Sequence, residues 1–221
     1  MKLIRIYGFK VIRTYIFFAI PFALLIIFAS LLTTKPYLNM SKGLYESHDD
    51  VFFDHDYAID RIIGYLNYEY EDLAFGLDED DNTVILRQIE IDHMVDVKNL
   101  YTTLRLTAGI SLIIAVLLLV FMRKKDELEF YNTLKNIYFG PLFFTMFIGG
   151  YLLIDFNTAF TKFHQLFFTN DDWILYSTDV LIILLPTNFW MVSGLIILVL
   201  FSSSIASIVY INDKIHKTLS K

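Results

Sequence analysis

The chain contains no cysteine. That absence excludes disulfides, a thiol acyl-enzyme and thiolate metal ligands. A chain facing an oxidising exterior needs no free thiol, so the absence agrees with an extracytoplasmic face. Glycine is scarce, at nine residues, and no Gly-rich phosphate loop occurs, which argues against ATP or GTP use. There is no His-Glu-x-x-His pair and no Gly-x-Ser-x-Gly elbow. Four long stretches lack charge altogether, so no ionisable group stands at mid-depth to relay ions or protons across a bilayer.

What is abundant is apolar. The 221 residues are 56% hydrophobic and 17% aromatic, with a mean hydropathy of +0.52, too apolar for an ordinary soluble domain. The uncharged runs cover 14–34, 106–122, 136–154 (ended by Asp155) and 189–210. At about 1.5 Å per residue a run of this kind crosses a hydrocarbon core of roughly 30 Å. A cleaved signal peptide would carry a shorter apolar region of about 7–15 residues ending at an Ala-x-Ala-like site. The first run instead ends Ser30-Leu31-Leu32-Thr33-Thr34-Lys35-Pro36, so it reads as a retained span, with Pro21 as a kink point.

The fold expected is therefore an all-α membrane protein. Four transmembrane helices carry an extracytoplasmic cap of α-helix and a short hairpin. The segments are an N-terminus (1–13), span 14–34, a polar region (35–105), span 106–122, a loop (123–135), span 136–156, a second polar loop (157–188), span 189–210 and a tail (211–221). Eleven of the 18 Lys/Arg lie in 1–13, 123–135 and 211–221. The excess of basic residues there places both termini in the cytoplasm. Twenty of the 24 acids lie in 35–105 or 155–188, which then face outward. An acidic outer face attracts no nucleic acid.

Within the first polar region, Ile59, Ile62, Ile63 and Leu66 recur at helical spacing and predict an amphipathic helix over Tyr57–Tyr68. Asp78-Glu79-Asp80-Asp81-Asn82 reads as a charged turn, and it lacks the Asp-x-Asp-x-Asp-Gly spacing of a calcium loop. Val84-Ile85-Leu86 reads as a short strand, half of a hairpin, and 89–101 as a helix approaching the second span. Gly149-Gly150 marks a close-packing or bend point in the third span. Val180–Leu185, halted by Pro186, is too short to span and reads as re-entrant or interfacial.

Four of the five histidines, His48, His55, His93 and His164, fall on the outer side. His93 has Asp96 at i+3, within reach on a helix. His164 has Asp171 at i+7, on the same face if the helix continues, and lies in an aromatic cluster with Trp173. A carboxylate against one imidazole nitrogen fixes the tautomer and raises basicity at the other. Three readings stand on these residues. One is acid/base catalysis by His93 and His164. A second is a metal-dependent hydrolase held by His93, Asp96 and His164. The third is a non-catalytic membrane module binding a partner through its acidic region.

Three blocks resemble a known family. They are Asp92-His93-Met94-Val95-Asp96-Val97-Lys98, then Phe163-His164-Gln165-Leu166-Phe167-Phe168 with Asn170-Asp171-Asp172-Trp173, then Leu181 to Trp190, with Tyr65-Leu66-Asn67 earlier. They are similar to the signature blocks of the lipoprotein intramolecular transacylases, small four-span bacterial membrane proteins. The resemblance implies a multi-pass protein of the bacterial plasma membrane with its active site on the outer face. It implies an acyltransferase that moves the sn-2 acyl chain of a diacylglyceryl-cysteine lipoprotein onto the cysteine α-amine, giving the lyso form. Its substrates would be lipoproteins with a lipidated N-terminal cysteine, alongside membrane lipid, and no cofactor or metal is implied. His93 and His164 would be catalytic, with Asp96 and Asp171 supporting them. Asn67, Asp60, Tyr57 and Trp173 are the candidates for gripping substrate. The Phe-rich third span (Phe139, Phe143, Phe144, Phe147) either lines a groove for acyl chains or is ordinary lipid-facing or packing surface.

Overall fold

A computed structural model describes residues 2–41, 43, 52–81 and 83–219. Every regular element among them is helical. The order is α1 (Lys2–Ser30), a 3-10 turn (Leu31–Thr33), α2 (Lys35–Ser41), α3 (His55–Leu66), α4 (Gln88–Lys125), α5 (Glu127–Asn136), α6 (Phe139–Ile154), α7 (Phe156–Phe167), α8 (Val180–Leu184) and α9 (Thr187–Leu219). Four stretches are long and apolar enough to cross a membrane: Gly8–Thr33, Gln88–Lys125, Glu127–Ile154 and Thr187–Thr218. They overlap the four uncharged runs of the sequence. α4 and α9 overrun theirs at both ends. α4 has 38 residues, about 57 Å of helix, where roughly 30 Å suffices.

Contacts divide the chain into two compact units. The first takes in Met1–Ala29, Leu104–Tyr151 and Leu195–Lys221. Its core joins Ile16 and Ile20 of α1, Ala115 and Met122 of α4, Ile137 in the turn before α6, and Phe201 and Ile205 of α9. Asp126 opens α5 by accepting from the Glu129 amide at 3.2 Å, and Arg13 pairs with Glu129 at 3.2 Å. Gly140 sits against the Phe17 ring so closely that a Cβ there would collide with it. α1 runs unbroken through Pro21. Phe139, Phe143, Phe144 and Phe147 are all exposed. Such exposure suits side chains that meet lipid.

The second unit, Ser30–Thr103 and Leu152–Gly194, holds both His93 and His164. α3 begins where the Asp54 side chain accepts from the Tyr57 amide at 2.9 Å. It buries Ile59, Ile62, Ile63 and Leu66, the four positions the spacing selects, and packs on α8. Past its end Tyr68 adopts φ 65°, a left-handed conformation that costs a non-glycine residue about 1 kcal/mol. Its hydroxyl bonds Thr102 at 2.6 Å, and the Lys98 ammonium lies 4.3 Å from its ring and 3.8 Å from that of Tyr65. Tyr37 and Ser193 share a buried hydroxyl pair at 2.5 Å.

The expected hairpin does not form. Ile85 donates one bond to the Phe75 carbonyl, and no strand exists among the described residues. The chain turns back on side chains instead. Asp78 accepts from the Asp80 and Asp81 amides, and Asp81 from those of Leu77 and Thr83. At Gly76 a Cβ would meet the Asp81 carbonyl, so the turn closes only around glycine. Asn82 and His48 lie outside the described residues.

Candidate active site

The first turns of α4 are organised by a buried acid. Glu90 is 0% exposed. Its carboxylate accepts from the Arg87 amide at 2.8 Å, which caps its own helix, and from the Leu181 amide at 2.9 Å, which caps α8. Beside it Arg87 pairs with the buried Asp179 at 2.7 Å. One turn on, the same inward face presents His93 and Met94.

α7 supplies the other half. Asp155 starts it by accepting from the Thr158 amide and hydroxyl at 3.0 and 2.6 Å. The helix is amphipathic. Ala159 and His164 are buried, while Phe163, Leu166 and Phe167 are exposed.

His93 and His164 meet with ring centroids 5.9 Å apart. They are 9% and 7% exposed. Aromatic rings surround them. Phe168 lies 5.3 Å from His93 and 5.8 Å from His164. Phe160 and Phe163 lie 4.2 and 5.5 Å from His164. Trp173 stacks on His164 at 5.1 Å and 27°.

His164 Nδ1 lies 2.8 Å from the Phe160 carbonyl oxygen. A carbonyl only accepts, so Nδ1 carries the proton, and in the neutral ring the lone pair is on Nε2. Burial pushes the His164 imidazole below its ordinary value, and the bond to the Phe160 carbonyl offsets part of that. His93 Nδ1 is buried with no hydrogen-bond partner. Two imidazoles this close cannot both carry charge cheaply in an apolar cage. The pair can therefore take one proton at a time, one ring accepting while the other stays a neutral donor, with water largely excluded.

The supporting residues stand elsewhere than the sequence suggested. Asp96 accepts from the Asn170 side chain at 2.7 Å. At i+3 it leans over the loop after α7 rather than onto the His93 nitrogen left without a partner. Asp171 does not share a helical face with His164, because α7 stops at Phe167. It is exposed, and its carbonyl accepts from Ile174. Trp173 reaches His164 directly, as a ring. Asp60 pairs with Lys35 at 2.5 Å and accepts from Tyr70 at 3.1 Å, and the Lys35 bond holds its carboxyl below the usual range. Asn67 donates to the Thr33 carbonyl at 2.8 Å. Tyr57 packs edge-on against Phe75 at 6.1 Å. These three belong to the joints of α3. Among the described residues no group of three His, Cys, Asp or Glu converges as a metal site.

Asn170, Phe160 and Glu90 are the residues that sequence reasoning missed. Phe160, four before His164, was open to helical periodicity. Asn170 was not, since its partner is 74 residues away.

A family model described as "Lipoprotein intramolecular transacylase Lit" matches residues 11–190. Curated proteins yield no match. Three solved structures align along nearly the whole chain. The in meso structure of the membrane integral lipoprotein intramolecular transacylase Lit from Bacillus cereus is 21% identical, with a TM-score of 0.77, covering 97% of this chain and 98% of that one. The same protein with a histidine-to-arginine mutation is 21% identical at a TM-score of 0.71, covering 99% and 97%. With a histidine-to-alanine mutation it is 20% identical at 0.71, covering 99% and 98%. At this identity the likeness carries the fold.

Proposed function

The chain belongs to the lipoprotein intramolecular transacylase family, and from that premise we propose that it moves the sn-2 acyl chain of a diacylglyceryl-cysteine lipoprotein to the cysteine α-amine. One observation carries the chemical reading. Two buried imidazoles, 5.9 Å apart in an aromatic cage, include one whose Nδ1 is committed to a carbonyl.

In this reading the His164 Nε2 lone pair takes a proton from the cysteine ammonium. The freed amine attacks the sn-2 ester carbonyl. His93, neutral, donates an N–H to the oxyanion. The new C–N bond forms, the C–O bond to glycerol breaks, the second amine proton ends on the sn-2 glycerol oxygen, and the proton on His164 leaves to solvent, restoring the base. The products are an amide and a free hydroxyl, downhill from the ester, so no nucleotide is needed. Amine and ester sit on one molecule, and holding them in line contributes about 7–11 kcal/mol of the barrier. One oxyanion donor contributes about 3 kcal/mol more.

Both termini face the cytoplasm in this reading, and the histidine pair faces the outer surface of the plasma membrane, as the basic residues of the end segments and middle loop require. Exposed Phe163, Leu166 and Phe167 on α7 support a position against lipid, where the acyl chains already reside. The experiment is mass spectrometry of an N-terminal lipopeptide from cells with the protein, without it, and with His164→Ala or His93→Ala. Acyl transfer to the amine with loss of the sn-2 ester is expected only with the intact protein. Full conversion by either variant refutes the histidine roles. An unchanged lipopeptide in every cell refutes the activity.

A further inference from the structure

We infer that Asn170 is a positioning residue for His164: pinned by Asp96, it anchors the Trp173 indole that stacks on the imidazole. This rests on the transacylase reading above and adds to it a residue with no direct part in the chemistry.

Four contacts carry the inference. The Asn170 side-chain amide donates to Asp96 Oδ2 at 2.7 Å. Its side-chain oxygen accepts from the Asp172 amide at 3.3 Å. Its main-chain carbonyl accepts from Trp173 Nε1 at 3.0 Å. The indole so held lies 5.1 Å from the His164 ring at 27°. The loop from Phe168 to Trp173 has no helix or strand of its own, and Trp173 is only half-buried. An indole on such a loop keeps one orientation only if its N–H is tied. Asn170 ties it, and Asp96 ties Asn170 to the rigid N-terminal part of α4.

The consequence falls on His164. The imidazole must hold its plane for Nδ1 to keep the Phe160 carbonyl while Nε2 stays turned to the substrate. Trp173 restricts rotation of that plane and covers the ring from water. Asp96 therefore acts on the loop through geometry, as an acceptor, and makes no hydrogen bond to His93 Nδ1. Acceptor and charge separate experimentally, because an asparagine at 96 still accepts a hydrogen bond but carries no charge.

The test is an amide–carboxylate exchange in the full-length protein, purified in detergent, with a synthetic diacylglyceryl-cysteine peptide in mixed micelles. Asp96→Asn should keep conversion within about twofold, since the acceptor survives. Asp96→Ala and Asn170→Asp should each lose about five- to tenfold, the scale of one hydrogen bond of ordinary net strength. The double variant Asp96→Asn/Asn170→Asp should recover to within about twofold, with the donor now on α4 and the acceptor on the loop. Acrylamide quenching of Trp173, read in a Trp190→Phe background so that one tryptophan remains, should rise with Asn170→Asp and return in the double variant. The inference is overturned if Asp96→Asn falls as far as Asp96→Ala, if the double variant stays as slow as Asn170→Asp, or if quenching does not move with Asn170→Asp. If the wild-type protein converts no peptide, the transacylase reading fails on its own, and the quenching series alone decides whether Asn170 anchors the indole.

Discussion

Glu90→Gln tests whether one buried carboxylate holds the active-site scaffold. The native carboxylate is wholly buried and accepts two backbone N–H groups, Arg87 at 2.8 Å and Leu181 at 2.9 Å. Glutamine has nearly the same shape. Its oxygen keeps one of these bonds, but its NH2 must face the other N–H, donor against donor. The loss is one charge-assisted hydrogen bond, about 1.5–3 kcal/mol, plus a buried amide without an acceptor. Relief of the carboxylate's own desolvation returns part of this. A net loss of about 2 kcal/mol follows. For a chain of this size 1 kcal/mol moves the melting point by about 2–4 °C, so Glu90→Gln should lower it by about 4–8 °C. Glu90→Leu orphans both N–H groups and should cost more. The assay is thermal unfolding in detergent, paired with amide hydrogen exchange at Leu181, whose protection should drop first. A melting point within about 1 °C of wild type, with Leu181 still protected, would refute the reasoning.

Two further outcomes concern the histidine cage. Burial holds His164 below its ordinary value of 6.5, so the base-competent neutral form persists as pH falls toward and below that value. Trp173→Ala hydrates the ring and should raise the acid limb of conversion toward about pH 6.5. The ratio of mutant to wild-type rate, which cancels the substrate amine's own titration, should be constant above about pH 7 and fall below it. A flat ratio refutes the shielding. Conversion should also be indifferent to a metal chelator, while a metal-dependent hydrolase built on His93, Asp96 and His164 would stop. Proportional loss of rate with chelation, restored by zinc, would sink the acid/base reading.

The elements most legible from the sequence were those set by local physics. Absence of charge marked the four spans, because a charge in hydrocarbon is costly wherever it sits. Spacing marked α3, and all four of its selected apolar positions are buried. The hairpin fails because the acids read as its turn also bond the backbone. Asp78 and Asp81 satisfy the backbone of that turn from their side chains and leave no ladder to propagate. The end of α7 was readable in the same terms. Thr169-Asn170-Asp171-Asp172 is a run of side chains that compete for backbone groups, and a helix carried through it to Asp171 ignored them. The Asp96–Asn170 bond was not readable, since nothing within either segment encodes a partner 74 residues distant.

Under the proposed mechanism the cage weakens the base it protects, yet its chemistry is consistent. An α-amino group has an ordinary pKa of about 7.7–8.0, above that of a free imidazole, so proton transfer to His164 starts uphill even before burial. A carboxylate on Nδ1 would correct this by raising the imidazole, but at the cost of a second buried charge. The structure places the Phe160 carbonyl there instead. A carbonyl fixes the tautomer without a formal charge. The same apolar rings that disfavour the imidazolium disfavour the substrate ammonium brought against them, so desolvation lowers both cations and leaves their difference nearly unchanged. The absolute base strength of His164 then matters less than its geometry, which is why its Nδ1 partner and its stacked indole should be more sensitive to substitution than any nearby charge.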